Sequence, residues 1–166
     1  GYVVSHTGGA APRTDPHGVR YGQNDEPDDV VADVLDTLRL GAERAERAGV
    51  NPTSVLIDPT SPVDPDAGML AVGEDIGRHN TLDKLRGEAL LNDLPTHGMM
   101  IVSSGRISSE MLLKAALMGV PLVGSRTSPT GMAVTLGEHL GLTVIGYIRS
   151  SSMNVYTHPQ RITRED

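Results

Sequence analysis

The chain has 166 residues, enough for one ordinary domain with a real core and too few for two full ones. Apolar residues make up 38% of it, with four Tyr and no Phe or Trp, so the core must consist of Val, Leu, Ile, Met and Ala. The absence of cysteine excludes disulfides, thiolate metal sites and a sulfur nucleophile in this chain. No apolar run approaches the roughly 20 residues of a membrane helix, and no signal-peptide pattern is present, so a cytoplasmic protein without membrane contact is expected.

The formal net charge of −7 is unevenly distributed. Residues 1–66 contain twelve acidic residues against five arginines, whereas residues 67–166 contain nine acidic and nine basic residues. An acidic surface argues against non-specific nucleic-acid binding. The change in charge coincides with a Pro-rich stretch at residues 58–66, which cannot continue a helix or a central strand. A boundary between segments 1–66 and 67–166 is therefore predicted.

The first segment, residues 1–66, has the pattern of a strand, a helix and a strand. Residues 2–5 form a short β-type run that precedes a loop rich in Gly and Pro. Apolar residues spaced by three and four then predict a helix that starts at Asp28 and stops at Gly49. The apolar triplet at residues 55–57 predicts the next strand.

The second segment, residues 67–166, alternates short strands with helices. Strands are predicted at residues 69–72, 99–102, 121–123 and 142–148, and helices at residues 82–91, 109–118 and 131–140. This alternation is typical of an α/β fold with a mostly parallel sheet flanked by helices.

Three loops rich in small polar residues follow predicted strands, at residues 73–80, 103–110 and 125–130. Each loop contains one arginine, namely Arg78, Arg106 or Arg126. Ligands of open α/β sheets bind where the carboxyl ends of strands meet helix N-termini, so these loops predict a shared site for an anion such as a phosphate or pyrophosphate. The alternative is that the Ser and Thr residues only cap helices and that the arginines point to solvent.

The histidines show no spacing typical of metal ligands, and no metal site is predicted. His79 lies close in sequence to Asp75 and Asp83, an arrangement that suits a general base or a proton carrier. Because no nucleophile is in view, we favour a role for His79 in locking its loop or positioning a ligand. His158 is expected to pack on the sheet as a residue of the C-terminal tail.

Four motifs stand out in the second segment. They are EDIGRHN at residues 74–80 followed by DK at 83–84, SGR and SEM within 104–111, TSPT at 127–130, and GYIR through MNVYTHP at 146–159. Their order and spacing resemble the signatures of the FdhD family of formate dehydrogenase accessory sulfurtransferases. The resemblance covers about residues 68–163.

This resemblance implies a cytidine-deaminase-like α/β fold without zinc, and binding of molybdenum bis-molybdopterin guanine dinucleotide. Members of the family take sulfur as a persulfide from a cysteine desulfurase and pass it to this cofactor before its insertion into formate dehydrogenase. Formate dehydrogenase and a cysteine desulfurase are thus the implied partners. Carried over by position, the implied cofactor-binding residues are Asp75, Arg78, His79, Asn80, Ser104, Gly105, Arg106, Ser109, Thr127, Ser128, Tyr147, Ile148, Arg149, Ser150, Ser151 and Ser152.

One departure from the family pattern concerns the sulfur carrier, which is a cysteine of a CxxC loop upstream of this region. This chain contains no cysteine, and no other side chain carries a persulfide. No catalytic residue is assigned, and enzymatic activity stays open. The chain would bind the cofactor without transferring sulfur by itself, or would serve as a non-enzymatic scaffold for formate dehydrogenase or the desulfurase. Pairing of two copies would cover apolar surface left exposed without the N-terminal part.

Residues 2–60 carry a second, weaker resemblance. The TGG motif at residues 7–9 occurs in the FdhD family, although here a long insertion would follow it. The VVSH run at residues 3–6, the helix and the VLIDP motif at residues 55–59 instead resemble one βα unit of dihydropteroate synthase. Thr60 replaces the glycine of that family, and about 60 residues cannot close an eight-stranded barrel. A pterin-binding fragment is therefore the third alternative, and a fused or rearranged gene product would explain both resemblances.

Overall fold

A computed structural model of the chain describes residues 19–21, 53–58, 69–149 and 152–162. The strands in these ranges are β1 (Val19–Tyr21), β2 (Thr53–Ile57), β3 (Met69–Glu74), β4 (Met100–Ser103), β5 (Leu122–Ser125), β6 (Thr143–Gly146) and β7 (Met153–Val155). The helices are α1 (Arg78–Leu91), α2 (Ser109–Leu117) and α3 (Gly131–Leu140), and a 3-10 turn spans Pro159–Arg161. The strand predicted at residues 2–5 and the helix predicted at 28–49 lie outside the described residues.

The described strands form one sheet in the order β1-β7-β6-β5-β4-β2-β3. The α/β class with flanking helices is confirmed, but the expectation of a mostly parallel sheet needs a correction. Only β4, β5 and β6 pair in parallel, whereas β2 runs antiparallel to β3 and β4, and β7 runs antiparallel to β6 and β1. Parallel pairs need a crossover, which α2 and α3 supply. Residues 147–152 between β6 and β7 are too few for one.

Strand β2 belongs to residues 1–66, which the predicted boundary separates from residues 67–166. It nevertheless lies between β3 and β4, with Leu56 in register with Ala71 on one side and Ile101 on the other. In the part of the chain that the structure describes, the two segments therefore contribute to the same sheet. The prediction that residues 1–66 have a separate origin, as in a fused gene product, stays a prediction.

One face of the sheet is covered by α1, α2 and α3. Leu56, Ile101, Val123 and Val144 lie in register across four strands, and all four are fully buried. The helix residues packed in the same cluster are Leu82, Leu85, Met111, Leu112, Ala115 and Ala133. Their spacing gives each helix an apolar stripe toward the sheet, and each large side chain buried there contributes roughly 1.5–3 kcal/mol.

The opposite face of the sheet has its own buried cluster. Alternate strand residues point to this face, so Val55 and Val102 lie in register here, as do Ile145 and Val155. Ile148, just after β6, belongs to the same cluster. The central strands are thus apolar on both faces, which explains why their sequences read as continuous apolar runs.

The helix ends follow capping chemistry. Ser108 and Thr130 precede α2 and α3, and their side-chain oxygens accept hydrogen bonds from the N–H groups of Met111 and Ala133. Helix α3 ends at Gly141, whose φ of 68° is left-handed. Helix α1 starts at Arg78, four residues before the predicted start. None of the described helices is long and apolar enough to cross a membrane.

Candidate anion-binding site

The three polar loops lie at one edge of the sheet, where β3, β4, β5 and β6 end and the helices begin. We call residues 73–80, 103–110, 125–130 and 146–149 the loop edge. Backbone hydrogen bonds join its segments: Arg126 N–H donates to Ser103 O at 3.2 Å, Thr130 N–H to Ile107 O at 2.9 Å, and Tyr147 N–H to Thr127 O at 3.1 Å. The second and third loops and the end of β6 therefore form a continuous surface.

Buried hydroxyl groups anchor the loop edge from below. Ser54 Oγ lies 2.7 Å from Thr81 Oγ1 and 3.1 Å from Ser103 Oγ, and all three residues are fully buried. Ser103 Oγ also accepts a hydrogen bond from the Gly105 N–H at 3.2 Å. This network holds the start of α1 and the second loop against β2 and β4. A hydroxyl left without a partner there would cost about 1–3 kcal/mol.

Ser125 connects the second loop to the third. Its hydroxyl donates to the Gly105 carbonyl at 2.7 Å and accepts from the Thr127 N–H at 2.9 Å. The four hydroxyl residues of these networks were not among the individually predicted binding residues, although Ser103 and Ser125 lie in the predicted loops; the four are Ser54, Thr81, Ser103 and Ser125. For Ser103 and Ser125, the sequence signal was a serine at the end of an apolar strand. A hydroxyl buried there needs a hydrogen-bond partner, which predicts a contact with a neighbouring loop.

Arginines occupy the outer side of the loop edge. Arg78, Arg106 and Arg149 are exposed, and Arg126 is half-buried. Arg149 donates to the carbonyl oxygens of Arg126 and Ile148. Among the described residues, Arg78 and Arg106 have neither an ion pair nor a side-chain hydrogen bond. Their guanidinium groups are therefore available to an anionic ligand.

Asp75 stabilises the start of α1. Its Oδ1 accepts hydrogen bonds from Gly77 N–H at 2.9 Å and Asn80 Nδ2 at 3.0 Å, and its Oδ2 lies 2.9 Å from Lys84 Nζ. The Gly77 N–H, followed by Lys84 and Asn80, lowers the pKa of Asp75 to about 2. These contacts start the helix earlier than predicted and place Arg78, His79 and Asn80 in its first turn.

Tyr147 has a backbone conformation that is unusual for a side-chain-bearing residue. Its φ is 53°, in the left-handed region, and 41% of the residue is exposed. The Arg149 guanidinium lies 5.9 Å from the centre of the Tyr147 ring. Strained residues cluster at functional sites, and an exposed ring beside a cation is a surface on which a planar group can stack.

Several predicted binding residues use their polar groups inside the loop edge. Ser104 Oγ accepts from the Thr53 N–H at 3.0 Å, and both backbone groups of Gly105 are hydrogen-bonded. Thr127 bonds to Ser125. The Ile148 side chain is buried on the opposite face of the sheet, and its N–H donates to Ser125 O. These residues shape the loops, with few free groups to offer a ligand.

The remaining predicted residues lie around this surface. Ser109 is the first residue of α2, and Ser128 is half-buried in the third loop. The Ser152 carbonyl accepts a hydrogen bond from the Arg149 N–H at 2.8 Å. Ser150 and Ser151 lie outside the described residues.

Two histidines occupy separate places in the fold. His79 Nδ1 lies 3.2 Å from Glu110 Oε2 and 3.3 Å from Ser108 Oγ, so it joins α1 to α2. His158 Nε2 lies 3.0 Å from the Glu138 carbonyl, at the far end of α3. Across the described ranges, no group of three or more His, Asp or Glu side chains could hold a metal ion.

Comparisons with known proteins agree with this architecture. The chain is 44% identical over 134 residues to the sulfur carrier protein FdhD of Shouchella clausii, a match that covers 81% of this chain and 50% of that protein. It is 54% identical over 94 residues to the sulfur carrier protein FdhD of Bacillus subtilis, covering 57% of this chain and 36% of that protein. The chain thus spans half or less of the length of these two relatives.

A solved structure shows the same fold. It is a crystal structure of a protein assigned as a formate dehydrogenase accessory protein from Desulfotalea psychrophila, with a TM-score of 0.64 and 27% sequence identity. The match covers 79% of this chain and 57% of that one. The model of the FdhD/NarQ family matches residues 31–163, a range that includes residues 31–60, which the weaker resemblance linked to dihydropteroate synthase. Since this match covers most of the sequence, the chain belongs to the FdhD/NarQ family.

Proposed function

We propose that this chain binds the guanine nucleotide portion of molybdenum bis-molybdopterin guanine dinucleotide at the loop edge, as part of formate dehydrogenase maturation. The observation that carries the proposal is the pair of exposed arginines, Arg78 and Arg106, without counter-ions among the described residues. Guanidinium groups bind phosphate oxygens with two parallel hydrogen bonds. Three helices also begin at this edge, and helix N-termini favour negative charge.

The residues at the end of β6 suit the base of such a nucleotide. Tyr147 and Arg149 offer an aromatic ring and a planar cation at the same edge of the sheet as Arg78 and Arg106. Stacking of a base on an aromatic side chain contributes about 1–3 kcal/mol. The loop edge thus offers cations for a diphosphate and an aromatic surface for a base, which is the combination a guanine dinucleotide requires.

The proposal assigns binding to this chain and leaves sulfur transfer aside. Transfer of a persulfide needs a thiolate, and the chain has no cysteine. The bound cofactor would supply the molybdenum centre that receives sulfur, while Arg78, Arg106 and Tyr147 would hold and orient its nucleotide. Formate dehydrogenase as the recipient and a cysteine desulfurase as the sulfur donor are partners within the same proposal.

Calorimetric titration of GDP into the purified chain tests the proposal. We expect saturable binding that weakens about 10-fold or more in Arg106→Ala, because a hydrogen bond between charged groups contributes about 1.5–3 kcal/mol. Arg86→Ala is the matched control, since Arg86 is also exposed but bonds to Leu117 O at the far end of α2. Absence of saturation up to several millimolar GDP, or equal weakening by both variants, would contradict the proposal.

The base-binding role of Tyr147 has a separate test. Tyr147→Ala should weaken GDP binding about 5-fold or more, whereas Tyr147→Phe, which keeps the ring, should bind nearly as well as the unaltered chain. Inorganic pyrophosphate, which has no base, should bind all three chains equally. If Tyr147→Ala weakens pyrophosphate binding as much as it weakens GDP binding, the substitution acts through the conformation of the loop and not through the loss of stacking.

The absence of cysteine favours a second candidate, a scaffold without enzymatic activity. In this alternative the chain, as a monomer or a homodimer, binds formate dehydrogenase or a cysteine desulfurase. The loop edge then has a structural role and does not bind a nucleotide. Pull-down with purified formate dehydrogenase after removal of nucleotides separates the two. Capture of the enzyme together with no measurable affinity for GDP would support the scaffold.

A further inference from the structure

A charged network joins the starts of α1 and α2 beside the loop edge. Lys114 Nζ lies 2.7 Å from Asp83 Oδ2 and 3.4 Å from Glu110 Oε1, and it donates to the His79 carbonyl oxygen at 3.1 Å. Burial opposes the charge of Lys114, but the hydrogen bonds to Asp83 and Glu110 outweigh it and raise the pKa of Lys114 above its ordinary value. Lys114 therefore stays charged and holds one oxygen of Glu110 in place.

The other oxygen of Glu110 faces His79. The distance from Glu110 Oε2 to His79 Nδ1 is 3.2 Å, and Ser108 Oγ lies 3.3 Å from the same nitrogen. An ionised carboxylate only accepts hydrogen bonds, so a neutral imidazole that bonds to Glu110 must carry its proton on Nδ1. Its Nε2 is then an acceptor. In the described part of the chain Nε2 has no hydrogen-bond partner, and 30% of the His79 side chain is exposed.

We propose that Glu110, clamped by Lys114, is a positioning residue that fixes His79 in its Nδ1–H form. This leaves Nε2 as an acceptor for a ribose hydroxyl group of the nucleotide. The inference rests on the proposed function, because that nucleotide is the ligand bound beside Arg78 and Arg106. It assigns a role to Glu110 and Lys114, whose side chains do not themselves touch the ligand.

Nuclear magnetic resonance gives a direct reading of the histidine tautomer. Long-range proton–nitrogen correlations show which ring nitrogen of a neutral histidine carries the proton. We expect the Nδ1–H form for His79, assigned by the signals lost in His79→Gln. Glu110→Gln should give a mixture of tautomers, because an amide both donates and accepts. A His79 ring in the Nε2–H form, or one unchanged by Glu110→Gln, would overturn the proposal.

Glu138→Gln is the matched control for this spectrum. Glu138 is exposed like Glu110, and its carboxylate also lies near a histidine, with Oε2 3.9 Å from His158 Nε2. It lies at the far end of α3, away from the loop edge. The variant makes the same change of charge and should leave the His79 signals unchanged.

Titration of GDP connects the tautomer to binding. Glu110→Gln also removes a negative charge near an anion, which by itself changes the affinity for GDP. Its effect through His79 is therefore the difference between two changes in the GDP dissociation constant. One is the change that Glu110→Gln causes in the unaltered chain, and the other is the change that it causes in His79→Gln. We expect this difference to be about 3-fold to 10-fold in the dissociation constant, the contribution of one hydrogen bond. Additive effects of Glu110→Gln and His79→Gln would refute the positioning role. If the unaltered chain does not bind GDP, the proposed function fails, whereas the spectra still decide whether Glu110 fixes His79.

Discussion

Replacement of Gly146, the last residue of β6, by alanine should destabilise the protein and disturb the loop edge. A Cβ at this position would lie 2.8 Å from Pro129 Cδ, 3.0 Å from Tyr156 Cε2 and 3.1 Å from the Thr127 carbonyl oxygen. Carbon contacts are optimal at about 3.5–4.0 Å, so all three neighbours must move. Overpacking of this kind costs about 1–3 kcal/mol.

The same movement would reach the proposed nucleotide site. The Thr127 carbonyl accepts the hydrogen bond from the Tyr147 N–H, so a shift of Thr127 alters the conformation of Tyr147. We therefore expect Gly146→Ala to weaken GDP binding as well as lower the melting temperature. For a chain of this size each kcal/mol lowers Tm by about 2–4 °C.

Thermal and urea unfolding followed by circular dichroism measure the effect, and Gly87→Ala is the control. Gly87 lies in the middle of α1, and apart from its own helix backbone no atom of the described residues lies within 4 Å of its Cβ position. Alanine there should stabilise the protein by about 0.5–1 kcal/mol, because glycine is a poor helix former. The reasoning is refuted if Gly146→Ala lies within about 0.5 kcal/mol of the unaltered chain, or if Gly87→Ala is equally destabilising.

Three further predictions follow from named contacts. Because the pKa of Asp75 is lowered from 3.8 to about 2, its ionised form stabilises the fold above about pH 3.8, and this contribution is lost as the pH falls through about 2. Urea unfolding from pH 6 to pH 2 should therefore show a stability difference between the unaltered chain and Asp75→Asn that shrinks on acidification; a constant difference would contradict the assignment. Ser103→Ala should lower the free energy of unfolding by about 1–3 kcal/mol, because the Gly105 N–H loses its acceptor. The Ser109 side chain has no hydrogen bond among the described residues, so Ser109→Ala should leave the free energy of unfolding nearly unchanged. Thr130→Ala removes the N-cap of α3 and should cost about 1 kcal/mol in the same assay, and an unchanged stability would argue against the cap.

Local sequence patterns predict most of the elements after residue 69. The helix predicted at residues 82–91 lies within α1, and its apolar residues Leu82, Leu85 and Ala89 are buried. The start of α1 was placed too late, because the Asp75 side chain organises the turn and periodicity carries no information on such a contact. Local sequence patterns also do not indicate whether two neighbouring strands run parallel or antiparallel. The position of β2 between β3 and β4 depends on pairing between residues 15 and 45 positions apart, as in Leu56 with Ala71 and Ile101.

The site was predictable to the level of its loops. Polar residues after buried strands correctly indicated one edge of the sheet, because neighbouring parallel strands end on the same side. The contacts of individual side chains were not predictable: Glu110 and Lys114 belong to a helix whose neighbour is known only from the fold. Ile148 was a predicted binding residue, but its side chain lies in the core on the face of the sheet opposite the helices.

The central claim is that a guanine nucleotide binds at the loop edge, and amide chemical-shift mapping with GDP tests it most directly. The account predicts saturable shifts at Gly105, Thr127 and Tyr147, with Asp93 and Gly119 at the opposite edge of the sheet unchanged. At the same sub-saturating GDP concentration, the shifts at the loop edge should be several-fold smaller in Arg106→Ala, in line with its weaker binding. Shifts confined to the opposite edge, or none at millimolar GDP, would contradict the account.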